Sequence, residues 1–153
     1  MKLLRIGPPG KERPALLAPD GTIRDLSGVV RDIHGETLDP ATLDRLRDIE
    51  SMALPVVSAG ARIGPCVARP INFACIGLNY EDHAREAGVP VPSEPIVFLK
   101  SLSAYSGPND DVRIPRGSVK TDWEVELGVV IGTRASDIAE SAALDHIAGF
   151  LYR

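Results

Sequence analysis

Short runs rich in apolar residues, Lys2 to Ile6 and Ala15 to Leu17, are bounded by glycine and proline and predict strands of a small β unit. Pro19-Asp20-Gly21 supplies turn chemistry ahead of Thr22-Ile23 and predicts a hairpin connection. From Asp39 the repeat changes. Leu43, Leu46, Ile49 and Met52 or Ala53 recur at three-residue spacing, behind a capping Asp39 and a Pro40 suited to the first helical position. One amphipathic helix is expected, ending near Leu54-Pro55. The small residues and Gly-Pro pair within Ser58 to Pro65 break that periodicity, so a domain boundary is expected near residue 65, separating 1–64 from 65–153.

Beyond it, Phe73 to Gly77 (FACIG) and Ile96 to Lys100 (IVFLK) read as strands flanking a short helix over Tyr80 to Ala87. Thr121 to Ile131 (TDWEVELGVVI) carries the strongest strand pattern of the chain. Its apolar set Trp123, Val125, Leu127 and Val129 faces one way, with Trp123 expected in the core; Asp122, Glu124 and Glu126 face the other. That second parity continues as Gly128, Val130 and Gly132, so the strand becomes apolar on both faces and is expected to be central in its sheet. Ser136 or Asp137 is expected to cap a helix running to about His146, with Gly149 stopping it.

Composition narrows the classes of function. Hydrophobic residues make up 44% and charged residues 25%, an ordinary globular mixture, and 14 glycines with 13 prolines favour turns and short strands. A net charge of −4 without any basic run gives a nucleic acid or an anionic membrane no electrostatic footprint. A small soluble ligand and a cytoplasmic location are the expectations, since MKLLRIGPPG is too short in apolar residues for a signal-peptide core. Cys66 and Cys75 are outside zinc-site spacing and are expected to be reduced and partly buried; His34 and His146 lack ligand-spaced partners and are expected to be surface or loop residues.

Two stretches carry candidate chemistry. Carboxylates two apart on a strand lie roughly 6 to 7 Å apart at the backbone, close enough for their side chains to converge on one ion. Oxygen-only ligands from Glu124 and Glu126 favour a hard cation, Mg²⁺ first and Mn²⁺ or Ca²⁺ next, with Asp122 beside them as a supporting group. In NYEDHARE, His83 and Glu86 share a helix face, where a carboxylate orients an imidazole and raises its basicity, a dyad suited to deprotonating water. Each stretch alone also fits a solvated charge pattern, on an edge strand or a surface helix.

Taken together, in order, Cys75-Ile76-Gly77-Leu78-Asn79-Tyr80, His83 and Glu86, Pro95 to Ser101 (PIVFLKS) and Trp123 to Gly132 (WEVELGVVIG) resemble the fumarylacetoacetate hydrolase family over roughly residues 70 to 150. The resemblance implies an α+β, β-rich fold: a small N-terminal β domain, then a mixed β-sandwich roll. It implies Mg²⁺ or Mn²⁺ on Glu124 and Glu126, a water-activating His83–Glu86 pair on a lid helix, and an anion contact from Lys100. The implied substrate is a small carboxylic or keto acid of the 2,4-dioxo type, cleaved at a C–C bond. The N-terminal region resembles members acting on diketo sugar acids and members labelled ureidoglycolate lyase. Isomerisation of a hydroxymuconic-type diacid and decarboxylation of oxaloacetate are alternatives within the family.

The family's third ligand, an aspartate, and a family lysine would follow the strand that starts at Ala148-Gly149-Phe150. The expectation is therefore a truncated N-terminal portion, inactive or nearly so alone and prone to aggregation, partner-dependent folding or a loose structure, whose full-length form is a homodimer. Two rivals stand outside enzymology: a non-catalytic remnant serving as a binding or assembly module, and an acidic β domain binding Ca²⁺ structurally.

Overall fold

The computed structural model describes residues 1–152, with side chains through Leu151. Three strands open the chain, β1 (Leu3–Ile6), β2 (Arg13–Leu17) and β3 (Ile23–Asp25), and pair antiparallel in that order. Leu3 lies opposite Leu16, and Leu17 opposite Ile23. The turn between β2 and β3 is set by Asp20, whose carboxylate accepts the Thr22 N–H at 2.9 Å and the Thr22 hydroxyl at 2.6 Å, while Gly21 takes φ +82°. Leu16, Ala18, Leu26, Val30 and Leu46 bury together against this sheet, and Ile33, Leu38 and Leu43 form a neighbouring cluster. Every fully buried apolar side chain among the described residues lies in 1–68, except Ala84.

Helix α1 (Pro40–Arg47) begins as expected: Asp39 accepts the Thr42 N–H at 3.0 Å and Pro40 stands at the first position. It ends seven residues before the expected Leu54, and a separate 3-10 turn follows at Ser51–Ala53. The reason lies in the spacing. A strict three-residue repeat drifts about 60° per step around an α-helix, so Leu43 and Leu46 can share the buried face but Met52 cannot. Met52 is exposed. Instead the Arg24 guanidinium ties the later turn down, donating to the carbonyls of Met52 and Leu54 at 3.1 Å each.

Residues then divide into two compact units, one of 1–68 with those from 106 on, the other 69–105. In the second, β4 (Ala74–Gly77) pairs antiparallel with β5 (Ile96–Leu99), and α2 (Glu81–Glu86) lies between them in sequence. In the first, β6 (Leu127–Ile131) pairs with β7 (Ile147–Tyr152) as a two-stranded antiparallel sheet. The strand expected from Thr121 thus starts only at Leu127, and it is not central: its partner among the described residues is β7 alone.

The expected face of β6 is also reversed. Leu127, Val129 and Ile131 are exposed, while Val130 packs on the Ile33–Leu38–Leu43 cluster. Gly132 explains the choice: a Cβ there would come within 2.4 Å of the Leu38 carbonyl, an approach that only glycine permits. Asp137 has φ +52°, which rules it out as an extended N-cap, so the expected helix is reduced to a 3-10 segment at Glu140–His146 without a side-chain cap. Gly149 does not stop it; β7 starts at Ile147 and Gly149 lies within the strand.

A chain of charges fastens residues 62–65 and 107–110 to β1. Arg5 grips Asp32 with two nitrogens, at 2.7 and 3.0 Å, and donates to the Pro65 carbonyl at 3.3 Å. Arg62 donates to Glu12 and to the Gly7 carbonyl, both at 2.9 Å, and to both oxygens of Asp110. For Glu12, burial raises the carboxyl, but hydrogen bonds from its own backbone and Arg62, with the charge of Arg5, outweigh it and hold it below its ordinary value.

Two outcomes follow. Leu26→Ala, at a fully buried site, is expected to lower stability in urea by about 2 to 5 kcal/mol, whereas Val125→Ala, at a side chain 64% exposed, changes it by less than about 0.5 kcal/mol. Glu12 and Asp110 have folded-state values below their ordinary 4.5 and 3.8, so the folded chain binds fewer protons than the unfolded one across that range. Their contribution is present in full above pH 4.5 and is lost as pH falls through the depressed values, so the thermal midpoint should stay flat down to pH 4.5 and fall progressively below it, first through Glu12 and, below pH 3.8, through Asp110 as well.

Candidate functional site

The two carboxylates singled out by the E-x-E pattern sit just before β6, at positions 124 and 126 of a run, 121–126, with neither helix nor strand. The β-forming residues of this run have no strand to pair with among the described residues, so propensity alone does not make them a strand. Trp123 is 80% exposed, which overturns its expected place in the core. Asp122 turns back on its own chain and accepts the Trp123 N–H at 2.8 Å. Glu124 and Glu126 are both exposed, and no cation of the described chain pairs with either.

Their donor chemistry suits a hard divalent cation: four carboxylate oxygens, unshared with arginine or lysine, two residues apart. Two carboxylates leave the greater part of a six- to eight-coordinate shell to other oxygens. Among the described residues no third His, Cys, Asp or Glu completes a cluster with them.

In the 69–105 unit, His83 and Glu86 lie three apart on α2, both exposed. Ala84 is the one buried residue of this helix, and it fixes the face that α2 turns inward. Glu81 and Asp82 occupy the first turn, where the helix dipole favours acids. Asp82 accepts the His83 N–H at 2.9 Å, and Glu81 pairs with Arg85 at 3.1 Å across one turn. Just before the helix, Leu78 has φ +49°, a conformation costly for a branched side chain and concentrated at functional segments. Lys100 follows β5 and is exposed; its backbone N–H donates to the Phe73 carbonyl at 2.9 Å, extending the β4–β5 ladder by one bond.

Glu124, Glu126 and Asp122 are thus brought together by adjacency in one segment, and His83 with Glu86 by one helical turn. Sequence reasoning passed over Arg62, Asp110 and Glu12, whose bonds to one another span 48 and 50 residues and leave no local motif. Cys66 and Cys75 are both partly buried, as expected. His34 and His146 are half-buried: His34 lies in a loop, as expected, and caps the 3-10 turn Gly35–Thr37, taking the Glu36 N–H at 3.3 Å, while His146 ends the 3-10 segment with its ring 3.3 Å from the Thr133 carbonyl. No helix among the described residues is long and apolar enough to cross a membrane.

A protein of Burkholderia ambifaria strain MC40-6, named as a hydrolase, is 59% identical over 150 residues, covering 98% of this chain and 53% of its own length. One from Burkholderia multivorans strain ATCC 17616, also named as a hydrolase, matches with the same identity and shares. The chain spans about half the length of these curated relatives. A crystal structure described as an HpcE protein of Mycobacterium smegmatis superposes with a TM-score of 0.76 at 32% identity, over 97% of this chain and 53% of that one. The fumarylacetoacetate hydrolase of psychrophilic Exiguobacterium antarcticum gives 0.71 at 26% identity, over 99% and 54%. The family model described as fumarylacetoacetate (FAA) hydrolase C-terminal matches residues 72–152.

Because the candidate side chains are solvent-exposed, His83→Ala, Glu124→Gln and Glu126→Gln should each leave the urea midpoint within about 0.5 kcal/mol of the parent, so that a change in binding or turnover reports chemistry rather than folding.

Proposed function

Since the chain belongs to the fumarylacetoacetate hydrolase family, we propose that it carries part of the site of a divalent-metal-dependent hydrolase or lyase cleaving a C–C bond in a small 2,4-dioxo acid. The observation that carries this reading is the extent of the family match, residues 72–152, which takes in His83, Glu86, Lys100, Asp122, Glu124 and Glu126. Exposure of these side chains supports it, since none of them is needed to fill the core.

In this reading Glu124 and Glu126 hold Mg²⁺ or Mn²⁺, and Asp122 steadies their segment through its bond to the Trp123 N–H. When bound, the ion supplies Lewis-acid polarisation of a substrate oxygen. Glu86 orients the His83 imidazole, and His83, in its neutral form, takes a proton from the water that adds to a keto carbon. The bond between that carbon and its neighbour then breaks, and the proton returns to the departing carbon. A carboxylic acid and a ketone result. The Lys100 ammonium contacts the substrate carboxylate, a point charge able to follow ligands of differing length.

The test is a screen of 2,4-dioxo acids, oxaloacetate and ureidoglycolate with and without Mg²⁺, on this chain alone and on a chimera joined to the remaining half of the Burkholderia ambifaria relative. Cleavage of a 2,4-dioxo acid is expected, with kcat lowered about 10² to 10⁴-fold by His83→Ala. Glu124→Gln and Glu126→Gln should each remove the response to Mg²⁺. Turnover unaffected by all three substitutions would sink the reading.

A further inference from the structure

We infer that Arg62 and Asp110 are positioning residues for the carboxylate-bearing segment, fixing where residues 111–126 begin just as the β6–β7 hairpin fixes where they end. The consequence for metal binding rests on the assignment of Glu124 and Glu126 as ligands; the restraint itself does not.

The anchor is built from several directions. Arg62 Nε donates to one oxygen of Asp110 at 2.6 Å and its terminal nitrogen to the other, a two-pronged grip that sets orientation as well as distance. Asp110 also accepts the Gly107 N–H at 2.7 Å, and its own N–H donates to the Gly107 carbonyl at 3.2 Å, closing 107–110 into a tight turn. Gly107 is buried, and a Cβ on it would lie 2.4 Å from the Ile63 carbonyl, so the turn is pressed against the backbone next to Arg62. Residues 62–64 are in turn held by β1 and the residue after it: Gly7 N–H donates to the Arg62 carbonyl at 2.9 Å, Gly64 N–H to the Arg5 carbonyl at 2.7 Å, and Ile6 bridges Ile63. The Arg62 bond holds the Asp110 carboxyl below its ordinary value, and the Gly107 N–H adds to that.

Between this anchor and β6 the chain has little else to hold it. Its recorded internal bonds are short-range: Ser118 N–H to the Pro115 carbonyl at 3.0 Å, Ser118 to Thr121 at 2.9 Å, and Asp122 to Trp123. Val112, Ile114, Val119, Trp123 and Val125 all face solvent. A loop in this condition is restrained by its ends, and freeing one end enlarges the set of conformations over which Glu124 and Glu126 are spread.

Trp123, the sole tryptophan, adjoins Glu124 and reports on the segment directly. The experiment follows the Trp123 anisotropy decay and its quenching by Mn²⁺ in the 153-residue chain, in the parent, in Asp110→Ala and in Asp110→Asn, whose amide oxygen still accepts from Gly107. The fast component is expected to grow in Asp110→Ala and to be intermediate in Asp110→Asn, with far-UV circular dichroism unchanged. The Mn²⁺ concentration for half-quenching should rise about tenfold in Asp110→Ala, the lower end of what groups supporting metal ligands contribute. If both variants keep the parent's decay, the restraint is refuted. Should Asp110→Ala lose its dichroism, Asp110→Asn decides by the same comparison. Absence of Mn²⁺ quenching in the parent would refute the ligand assignment and the metal consequence, while the decay still decides the restraint.

Discussion

Arg5, Glu12 and Arg62 form a chain of charges, the first two with side chains only 10% and 7% exposed, and it ties residues 62–65 and 107–110 to the N-terminal sheet. Burying such groups is unfavourable unless each hydrogen-bonding arm finds a partner, and here the arms are met by Asp32, Asp110 and the carbonyls of Gly7 and Pro65. Those partners come from segments far apart in sequence. What the charges contribute is therefore less a large stability than a choice of arrangement, because an alternative packing would strand a buried guanidinium or carboxylate.

The apolar core explains a different part of the molecule. Leu16, Leu26 and Leu46 close the N-terminal β unit, and α1 needs only two buried leucines to dock there. By contrast, Ile96, Val97, Phe98 and Leu99 on β5, and Leu127, Val129, Ile131 and Phe150 on the β6–β7 hairpin, keep much of their surface in water. The same openness leaves the candidate acids solvated.

What was legible in the sequence follows from the range of the interactions. The β2–β3 turn rests on Asp20 and Gly21, and the start of α1 on Asp39 and Pro40, all local signals, and these were readable. The end of α1 was not, because the leucine and isoleucine spacing suits an α-helix for one turn and then drifts, while the Arg24 contacts that capture Met52 and Leu54 are nearly thirty residues away. The strand at 121–126 was overread since β-propensity becomes a strand only beside a partner. The helix near 140 was overread because nothing local announces the left-handed Asp137. The residues of the family motifs were recognisable as types in order, but the Arg62–Asp110 anchor leaves no trace in any window shorter than the distance it bridges.

The same anchor also bears on how such a chain can change over evolutionary time. Residues 69–105 leave and re-enter through stems that are pinned to each other at 62–64 and 107–110, so the core does not depend on the length of what lies between them. Loop-closure entropy grows only slowly with added residues, and insertions or deletions confined to that excursion leave the β unit's register untouched. Descendants of one ancestral chain could thus acquire new specificities by rewriting a module of a few dozen residues, while the arginine and aspartate at its threshold stay fixed.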